Sequence, residues 1–410
     1  MLSIVKRFSL GVLGPAFSSA ANLLLSLTIL ISLSSEVFGN FAFFVILTAF
    51  GFSIVNALIG TPLSILINKE HNEQGSLLYF IGGSLLLSVS LSIIIFLSMG
   101  KGAVNKEILL YSLASFFMLF RWSARTICHA NSLAKNVMLS DFVYSLGIFI
   151  TALFVYVMER ITIDNVLIGM VFSSVLSLSF FGGKYIYWLK SGFYVFEPSK
   201  FYSSFKTYGR WSFVGVCSTE TTANMHSYII SIFFGAKAFA PIAAAALLYR
   251  PVSVVILSLT QMERPILSTL IRANRTEQLA SRYRTYKRMI QVSFIINIFA
   301  VMMFFGFYPT ELLSEKYNYN EFILVSIFIS IVVLLRVLRS CVSGLIQASG
   351  ELKQLSSVFI KSACIAFIFV PILTFYFGVI GSIYGIIVAE LSACIFIYRL
   401  KTKIFGRDYD

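Results

Sequence analysis

The sequence predicts an all-α polytopic membrane protein, and three observations carry that prediction. Hydrophobic residues make up 58% of the 410 positions and charged residues only 12%, against about 25% charged in an ordinary globular protein. The apolar residues fall in runs long enough to cross a bilayer, which needs about 20 residues per helix. Most of the charged residues lie between those runs. So few charges cannot cover the surface of a soluble chain of this length, which excludes a soluble enzyme.

Twelve apolar segments have the length of a membrane-spanning helix. The first follows Lys6 and Arg7, as in a signal peptide, but its apolar stretch is too long and no small-residue cleavage site follows it. We therefore expect it to remain as a membrane helix. The predicted spans lie near 9–33, 41–67, 76–98, 108–128, 138–158, 163–183, 211–234, 240–262, 289–308, 322–344, 356–377 and 379–398.

The distribution of lysine and arginine predicts the orientation of these spans. If the spans alternate across the membrane, 26 of the 32 Lys and Arg residues fall on one side and 5 on the other, with Arg250 inside a span. Because cytoplasmic loops carry the excess of cations, the side with 26 is cytoplasmic, and so are both termini. The net charge of +14 is thus explained by topology in the inner (cytoplasmic) membrane and not by nucleic-acid binding.

The residue types present exclude several kinds of chemistry. The five cysteines contain no C-x-x-C pair, and their odd number argues against a disulfide framework. The three histidines form no H-E-x-x-H motif and no zinc-binding spacing, so we expect no metal site. The outer loops are short, the longest being 309–321, and no catalytic constellation is present. We therefore expect neither an enzyme activity nor a cofactor.

Two long segments lie on the predicted cytoplasmic side. Residues 184–210 form an amphipathic linker between the sixth and seventh spans, which predicts an N-terminal six-helix bundle at 1–190 and a C-terminal one at 191–410. Residues 264–288 alternate apolar residues with arginine. We expect a basic amphipathic helix there that lies on the inner leaflet, where anionic lipid attracts it. The alternative is a solvated linker helix.

Weak internal matches relate the two halves of the chain. Pro62 aligns with Pro265 at an offset of 203, and Arg121 aligns with Arg339 at an offset of 218. The matches keep their order along the sequence, and six helices per half give both copies the same orientation. This pattern predicts a parallel repeat about an axis along the membrane normal, and transporters place their substrate between such halves.

Charged residues inside the spans carry the functional prediction, because a charge within the membrane is costly and faces a cavity or a partner. Glu220 on the seventh span and Arg250 on the eighth lie at similar distances from the turn near 235–237, so the hairpin sets both near the midplane. Two interpretations stay open: a static ion pair, or a pair lining a central cavity that a proton or an anionic headgroup breaks. Pro251 is expected to permit a bend in the eighth span.

Further cations predict an inward-open cleft, since arginine forks suit phosphate oxygens. The alternative for Arg125 and Arg339 is that they snorkel to inner-leaflet headgroups. Glu390, like Glu220, is a candidate for coupling transport to an ion, whereas Asp141 is expected only to cap a helix. The residues expected to line the cleft are Arg250, Arg121, Arg336, Arg125, Arg339 and Lys361.

Four segments carry a likeness to a known family: 11–17 (GVLGPAF) with Asn22, the first loop at 34–41, the stretch from Arg250 to Pro265, and 339–350 (RSCVSGLIQASG). With these segments and twelve spans in 410 residues, the chain resembles the polysaccharide (O-antigen type) flippases of the multidrug/oligosaccharidyl-lipid/polysaccharide exporter superfamily. The resemblance covers essentially the whole sequence.

The resemblance implies two six-helix bundles facing each other across a V-shaped central cavity. It implies a substrate of undecaprenyl pyrophosphate carrying an oligosaccharide repeat unit, moved to the outer leaflet for surface polysaccharide biosynthesis. It also implies alternating access driven by a proton or sodium ion, and other polysaccharide assembly proteins as partners. The sequence contains no G-x-x-x-x-G-K-[ST] loop, which agrees with transport that does not hydrolyse ATP.

Other functions compete with a flippase. The nearest is a drug or other small-molecule antiporter of the same superfamily, for which we expect an acidic and aromatic cavity; the deep arginines here outnumber the deep acids. A membrane-embedded glycan polymerase or acyltransferase needs a sizeable outer loop, and these outer loops are too small. A purely structural membrane scaffold does not need charges at mid-depth.

Overall fold

Every secondary-structure element in the described part of the chain is helical. The computed structural model describes residues 2–63, 73–100, 105–131, 133–158, 162–195, 198–307 and 317–406. The first six helices are α1 (Leu2–Ser32), α2 (Ser35–Val55), α3 (Glu73–Gly100), α4 (Lys106–Ala130), α5 (Ala134–Val157) and α6 (Ile163–Leu178). The others are α7 (Gly183–Val195), α8 (Pro198–Ser204), α9 (Arg210–Ile229), α10 (Ala236–Leu248), α11 (Arg250–Arg272), α12 (Thr276–Phe307), α13 (Tyr319–Ser349) and α14 (Leu352–Phe405).

The twelve-span fold class is confirmed. In the described residues nine helices are long and apolar enough to cross a membrane. One of them, α14, has 54 residues. As one straight helix it would be about 80 Å long, more than twice the thickness of the hydrocarbon core. Gly378, with φ 63° and ψ −145°, divides α14 into two spans. The two remaining spans are α4 and α9, which are less apolar because α4 contains two arginines and α9 contains Glu220 and His226.

Contacts within the chain divide it into two compact units. The N-terminal unit comprises Met1–Leu33 and Asn40–Val216, and the C-terminal unit comprises Ser34–Gly39 and Cys217–Asp410. In the N-terminal unit, α1 packs along α5, and α4 packs against α3 and α6. In the C-terminal unit, α13 packs along α14, and α11 packs against α12 and α13.

The eighth span is interrupted in the middle. α10 ends at Leu248, and Tyr249 has φ −98° and ψ 0° before α11 begins. Pro251 lies in the first turn of α11, where its missing N–H leaves no helical bond unmade. Asn297 donates from Nδ2 to the Leu248 carbonyl at 3.1 Å, and Tyr249 donates its hydroxyl to the Ser326 carbonyl at 3.2 Å. The bend predicted at Pro251 is confirmed, and these bonds hold the interrupted turn.

Residues 264–288 form the adjoining ends of α11 and α12, so the predicted helix on the membrane surface is wrong. α11 continues to Arg272, α12 begins at Thr276, and Asn274 between them has φ 53°. We call residues 263–288 the α11–α12 hairpin. The alternation of arginine with apolar residues arises because two antiparallel helices bury their apolar faces: Leu267 is completely buried.

An ion pair joins the two arms of the α11–α12 hairpin. Arg282 donates from Nε and Nη2 to the two carboxylate oxygens of Glu263, each at 2.6 Å. The Glu263 side chain is 4% exposed and the Arg282 side chain 42% exposed. The bidentate geometry makes this pair stronger than an ordinary surface ion pair, and the exposure of Arg282 limits it through solvent screening.

We expect the substitution Arg282→Gln to lower the apparent melting temperature of the purified protein by a few degrees. It leaves the buried Glu263 carboxylate without its charged partner, at a cost of about 2 kcal/mol. The matched control is Arg284→Gln, two residues along the same helix, where the side chain is exposed. Thermal denaturation in detergent measures both variants. Equal melting temperatures for the two would show that the pair does not stabilise the hairpin.

Candidate functional site

Three charged side chains meet between α4 and α5 in the N-terminal unit. Arg121 Nη2 lies 2.6 Å from Asp141 Oδ1, and Arg125 Nε lies 3.0 Å from Asp141 Oδ2. The two arginines are four residues apart on one face of α4, so both reach the same carboxylate. Asp141 is 1% exposed and Arg121 is 5% exposed. We call these three residues the N-terminal charge cluster.

Polar and aromatic groups from two further helices surround the N-terminal charge cluster. Arg121 donates from Nε to Ser177 Oγ of α6 at 2.8 Å, and its guanidinium carbon lies 4.1 Å from the ring centroid of Tyr144. The Tyr144 hydroxyl donates to Asn22 Oδ1 of α1 at 3.3 Å. Buried charges are tolerated when hydrogen bonds and counter-charges satisfy them. The cluster therefore ties together α1, α4, α5 and α6.

The role predicted for Asp141 is wrong. It is the eighth residue of α5 and therefore does not cap that helix. Its carboxylate is instead the counter-ion of Arg121 and Arg125. The snorkelling alternative also fails for Arg125, whose side chain is 11% exposed and is directed to Asp141. The cost of a charge inside a membrane span, applied above to Glu220 and Arg250, applies equally to Asp141 and favours a cationic partner on a neighbouring helix.

A second cluster lies in the C-terminal unit between α13 and α14. Arg336 Nε lies 2.8 Å from Glu390 Oε1, and Arg339 Nε lies 2.7 Å from Glu390 Oε2. The Glu390 side chain is completely buried, Arg339 is 10% exposed and Arg336 is 29% exposed. Arg336 also donates from Nη2 to the Ala223 carbonyl of α9 at 2.6 Å. We call Arg336, Arg339 and Glu390 the C-terminal charge cluster.

The two clusters share one equivalent arginine and use different acids. The offset of 218 that aligns Arg121 with Arg339 aligns Asp141 with Phe359. The guanidinium carbon of Arg339 lies 5.2 Å from the Phe359 ring centroid. A cation–π contact thus stands where the other half has an ion pair. The acid of the second half comes from the twelfth span, which is why the repeat in the sequence did not predict it.

The remaining predicted site residues lie outside both clusters. Glu220 is half-buried on α9 and accepts hydrogen bonds from Tyr228 at 2.6 Å and Asn224 at 2.9 Å, both also on α9. Arg250 is half-buried at the start of α11, directly after the interruption of the eighth span, and Lys361 is exposed on α14. The pairing of Glu220 with Arg250 stays a prediction.

These groups define what chemistry the described residues can perform. Among them, no three or more His, Cys, Asp and Glu side chains come together in a way that could hold a metal ion. Four of the five predicted arginines instead lie in two clusters, one in each unit, and each cluster contains one carboxylate. Only when such an ion pair opens can the carboxylate accept a proton or the arginine bind another anion in its place.

Comparison with solved structures identifies similar folds. The chain is similar to a multidrug-resistance MATE family transporter of the MOP superfamily in an inward-facing conformation, with 16% identity, 95% of this chain and 96% of that chain covered, and a TM-score of 0.68. It is similar to a eukaryotic MATE transporter, with 16% identity, coverage of 97% and 95%, and a TM-score of 0.67. It is also similar to a multidrug-resistance MATE family transporter of the MOP superfamily in an outward-facing conformation. The identity is 16%, 98% of this chain and 96% of that chain are covered, and the TM-score is 0.64. No protein-family model and no curated protein sequence matches the chain.

We expect Asp141→Asn to destabilise the protein far more than a matched change in an exposed ion pair. The variant leaves two buried guanidinium groups without their counter-ion, and breaking a buried pair costs about 3–5 kcal/mol. The control is Asp164→Asn, which breaks the pair with Lys106, whose side chain is 77% exposed. Expression level and melting temperature in detergent are the measurements. A loss no larger than that of the control would refute a structural role for the N-terminal charge cluster.

Proposed function

We propose that this multi-pass membrane protein is a secondary transporter of the inner membrane, with both termini in the cytoplasm. One observation supports it above all: 95% or more of the chain is similar to transporters described in inward-facing and in outward-facing conformations. A fold compatible with both conformations meets the requirement for alternating access. The energy source we propose is an ion gradient, with the buried carboxylates as the groups that respond to it.

Export of a small molecule by antiport is the function that these observations support best. Transporters of multidrug resistance are among the proteins with a similar fold. Half of the positive charge of the four clustered arginines, which favoured an anionic substrate in the sequence, is balanced, because Asp141 and Glu390 lie within ion-pair distance of them. The net positive charge available to attract a pyrophosphate is therefore smaller than the sequence suggested.

A lipid-linked oligosaccharide is the second candidate substrate. The N-terminal charge cluster combines two arginines with one carboxylate and so retains one positive charge. Arg336 in the other unit is 29% exposed, and Arg250 is half-buried at an interrupted span. Arginine binds phosphate oxygens in a bidentate manner. These features, with the resemblance in sequence, support a flippase for undecaprenyl-pyrophosphate-linked repeat units.

Glu220 and Glu390 are the carboxylates that we propose to couple transport to the ion. Glu220 is half-buried and held by hydroxyl and amide donors, so a proton or a sodium ion can reach it without breaking a buried cluster. Glu390 is completely buried and is paired with two arginines. We therefore assign the more accessible coupling role to Glu220.

Deleting the gene in its native host distinguishes the two substrates. For a small-molecule antiporter we expect cells to retain more of a cationic fluorescent dye and to keep a normal surface polysaccharide. Loss of the surface polysaccharide, with lipid-linked repeat units accumulating in the inner leaflet, would instead support the flippase. Unchanged dye retention together with unchanged polysaccharide, in a host with no second copy, would overturn both substrate assignments.

We expect Glu220→Gln and Arg250→Ala each to abolish most transport while the protein still reaches the membrane. The amide of Glu220→Gln cannot ionise, and Arg250→Ala removes a charge beside the interrupted eighth span. Rates of substrate uptake into everted vesicles under an imposed proton or sodium gradient are the measurement. The controls are Glu277→Gln, at an exposed position, and Arg250→Lys, which keeps the charge. Wild-type rates for both test variants would mean that neither charge takes part in transport.

A further inference from the structure

The α11–α12 hairpin carries a concentration of positive charge outside the two charge clusters. Residues 263–288 contain seven lysines and arginines and two glutamates. Glu263 is already paired with Arg282. The exposed cations of the hairpin lie on both arms and around its tip: Arg264, Arg272, Arg275, Arg284 and Arg288.

The hairpin is a rigid projection, because its inner faces are packed. Leu267 of one arm and Leu279 and Tyr283 of the other are buried. The hydroxyls of Tyr286 and Thr260 lie 2.7 Å apart, and Arg264 donates from Nη1 to Gln347 Oε1 of α13 at 3.2 Å. The hairpin is thus fixed to the neighbouring helix. The backbone that carries the exposed cations is therefore ordered before any partner arrives, which lowers the entropy cost of binding.

If α12 lies along the membrane normal, its length places the tip beyond the lipid headgroups. With 32 residues, α12 is about 48 Å long, and the hydrocarbon core takes about 30 Å of it. About 18 Å therefore projects from the core, of which the headgroup layer accounts for roughly 5–8 Å. Arg272 and Arg275 lie near the end of this projection. The remaining distance of about 10 Å exceeds the Debye length of about 8 Å at physiological salt, so headgroup charge is largely screened there.

We propose that the α11–α12 hairpin is a docking site for an acidic protein surface on the predicted cytoplasmic side of the membrane. The cations near the membrane, such as Arg288, have anionic headgroups as neighbours. The tip carries Arg272 and Arg275 with one exposed carboxylate, Glu277, so an excess of positive charge remains where headgroup charge is screened. An acidic protein surface supplies the balancing negative charge, and electrostatic complementarity of this kind directs encounter and orientation. The proposal does not depend on which substrate is transported.

Binding of a fluorescent poly-glutamate peptide tests the proposal. The full-length protein is placed in phosphatidylcholine nanodiscs, and fluorescence anisotropy gives the affinity. We expect the triple variant Arg272→Gln, Arg275→Gln, Arg284→Gln to bind the peptide about tenfold more weakly, the sum of three screened ion pairs. The matched control removes three exposed cations elsewhere on the predicted cytoplasmic side, with Lys184→Gln, Lys190→Gln and Lys206→Gln, and should change the affinity less than about twofold.

A second measurement distinguishes a protein partner from the membrane. The exposed tip residue is changed by Ala273→Trp, and the protein is placed in nanodiscs of brominated phosphatidylglycerol. We expect the added fluorescence to be unquenched, because the tip projects away from the lipid. Quenching would show that the tip lies on the membrane and would overturn the proposal. So would equal peptide affinity in the hairpin and control variants, or no peptide binding at all. Size-exclusion profiles establish that each variant is folded.

Discussion

A buried carboxylate that pairs with two arginines ties together neighbouring helices in each unit of this protein. Asp141 takes this role in the N-terminal unit and Glu390 in the C-terminal unit. An uncompensated charge in such an environment costs several kcal/mol, so the helices that carry the partners must remain in contact. Burying these charges is unfavourable by itself. Because each charge needs its partner, however, each cluster favours one arrangement of its neighbouring helices.

The packing around the N-terminal charge cluster follows from this constraint. A Cβ atom at position 14 of α1 would lie 2.5 Å from Asp141 Oδ2, so only glycine allows α1 to approach the carboxylate so closely. Ser177 and Tyr144 then occupy the sides of the Arg121 guanidinium. With its donors and its flanks covered, this cluster is a closed structural centre joining four helices.

The C-terminal charge cluster is more exposed than the N-terminal charge cluster. Arg336 is 29% exposed and bridges Glu390 to the Ala223 carbonyl of α9, the helix that also carries the half-buried Glu220. A change in the charge of Glu390 therefore acts on the position of α9 through one side chain. The two units thus differ in exposure: Arg121 and Asp141 are buried in one, whereas Arg336 is partly exposed in the other.

The sequence was sufficient for those properties that depend only on the order of residues along the chain, such as the positions of the membrane spans. Hydropathy marks each span because every backbone polar group in lipid must be satisfied within a helix, and the division at Gly378 follows from the length of the apolar run. Residues 264–288 show where this approach stops. The same alternation of arginine and apolar residues fits one surface helix or two paired arms, and only the turn at Asn274 decides between them.

By itself, then, the sequence determined the twelve helices, the predicted sidedness and which side chains carry charge inside the membrane. It could not determine the pairing of those charges. Arg121 and Asp141 lie 20 residues apart on different helices, and Arg336 and Glu390 lie 54 apart. Whether such residues meet depends on the rotation of each helix about its axis and on the packing of its neighbours. Only the tertiary structure decided that four of the predicted cationic residues form two separate clusters, each sharing one carboxylate.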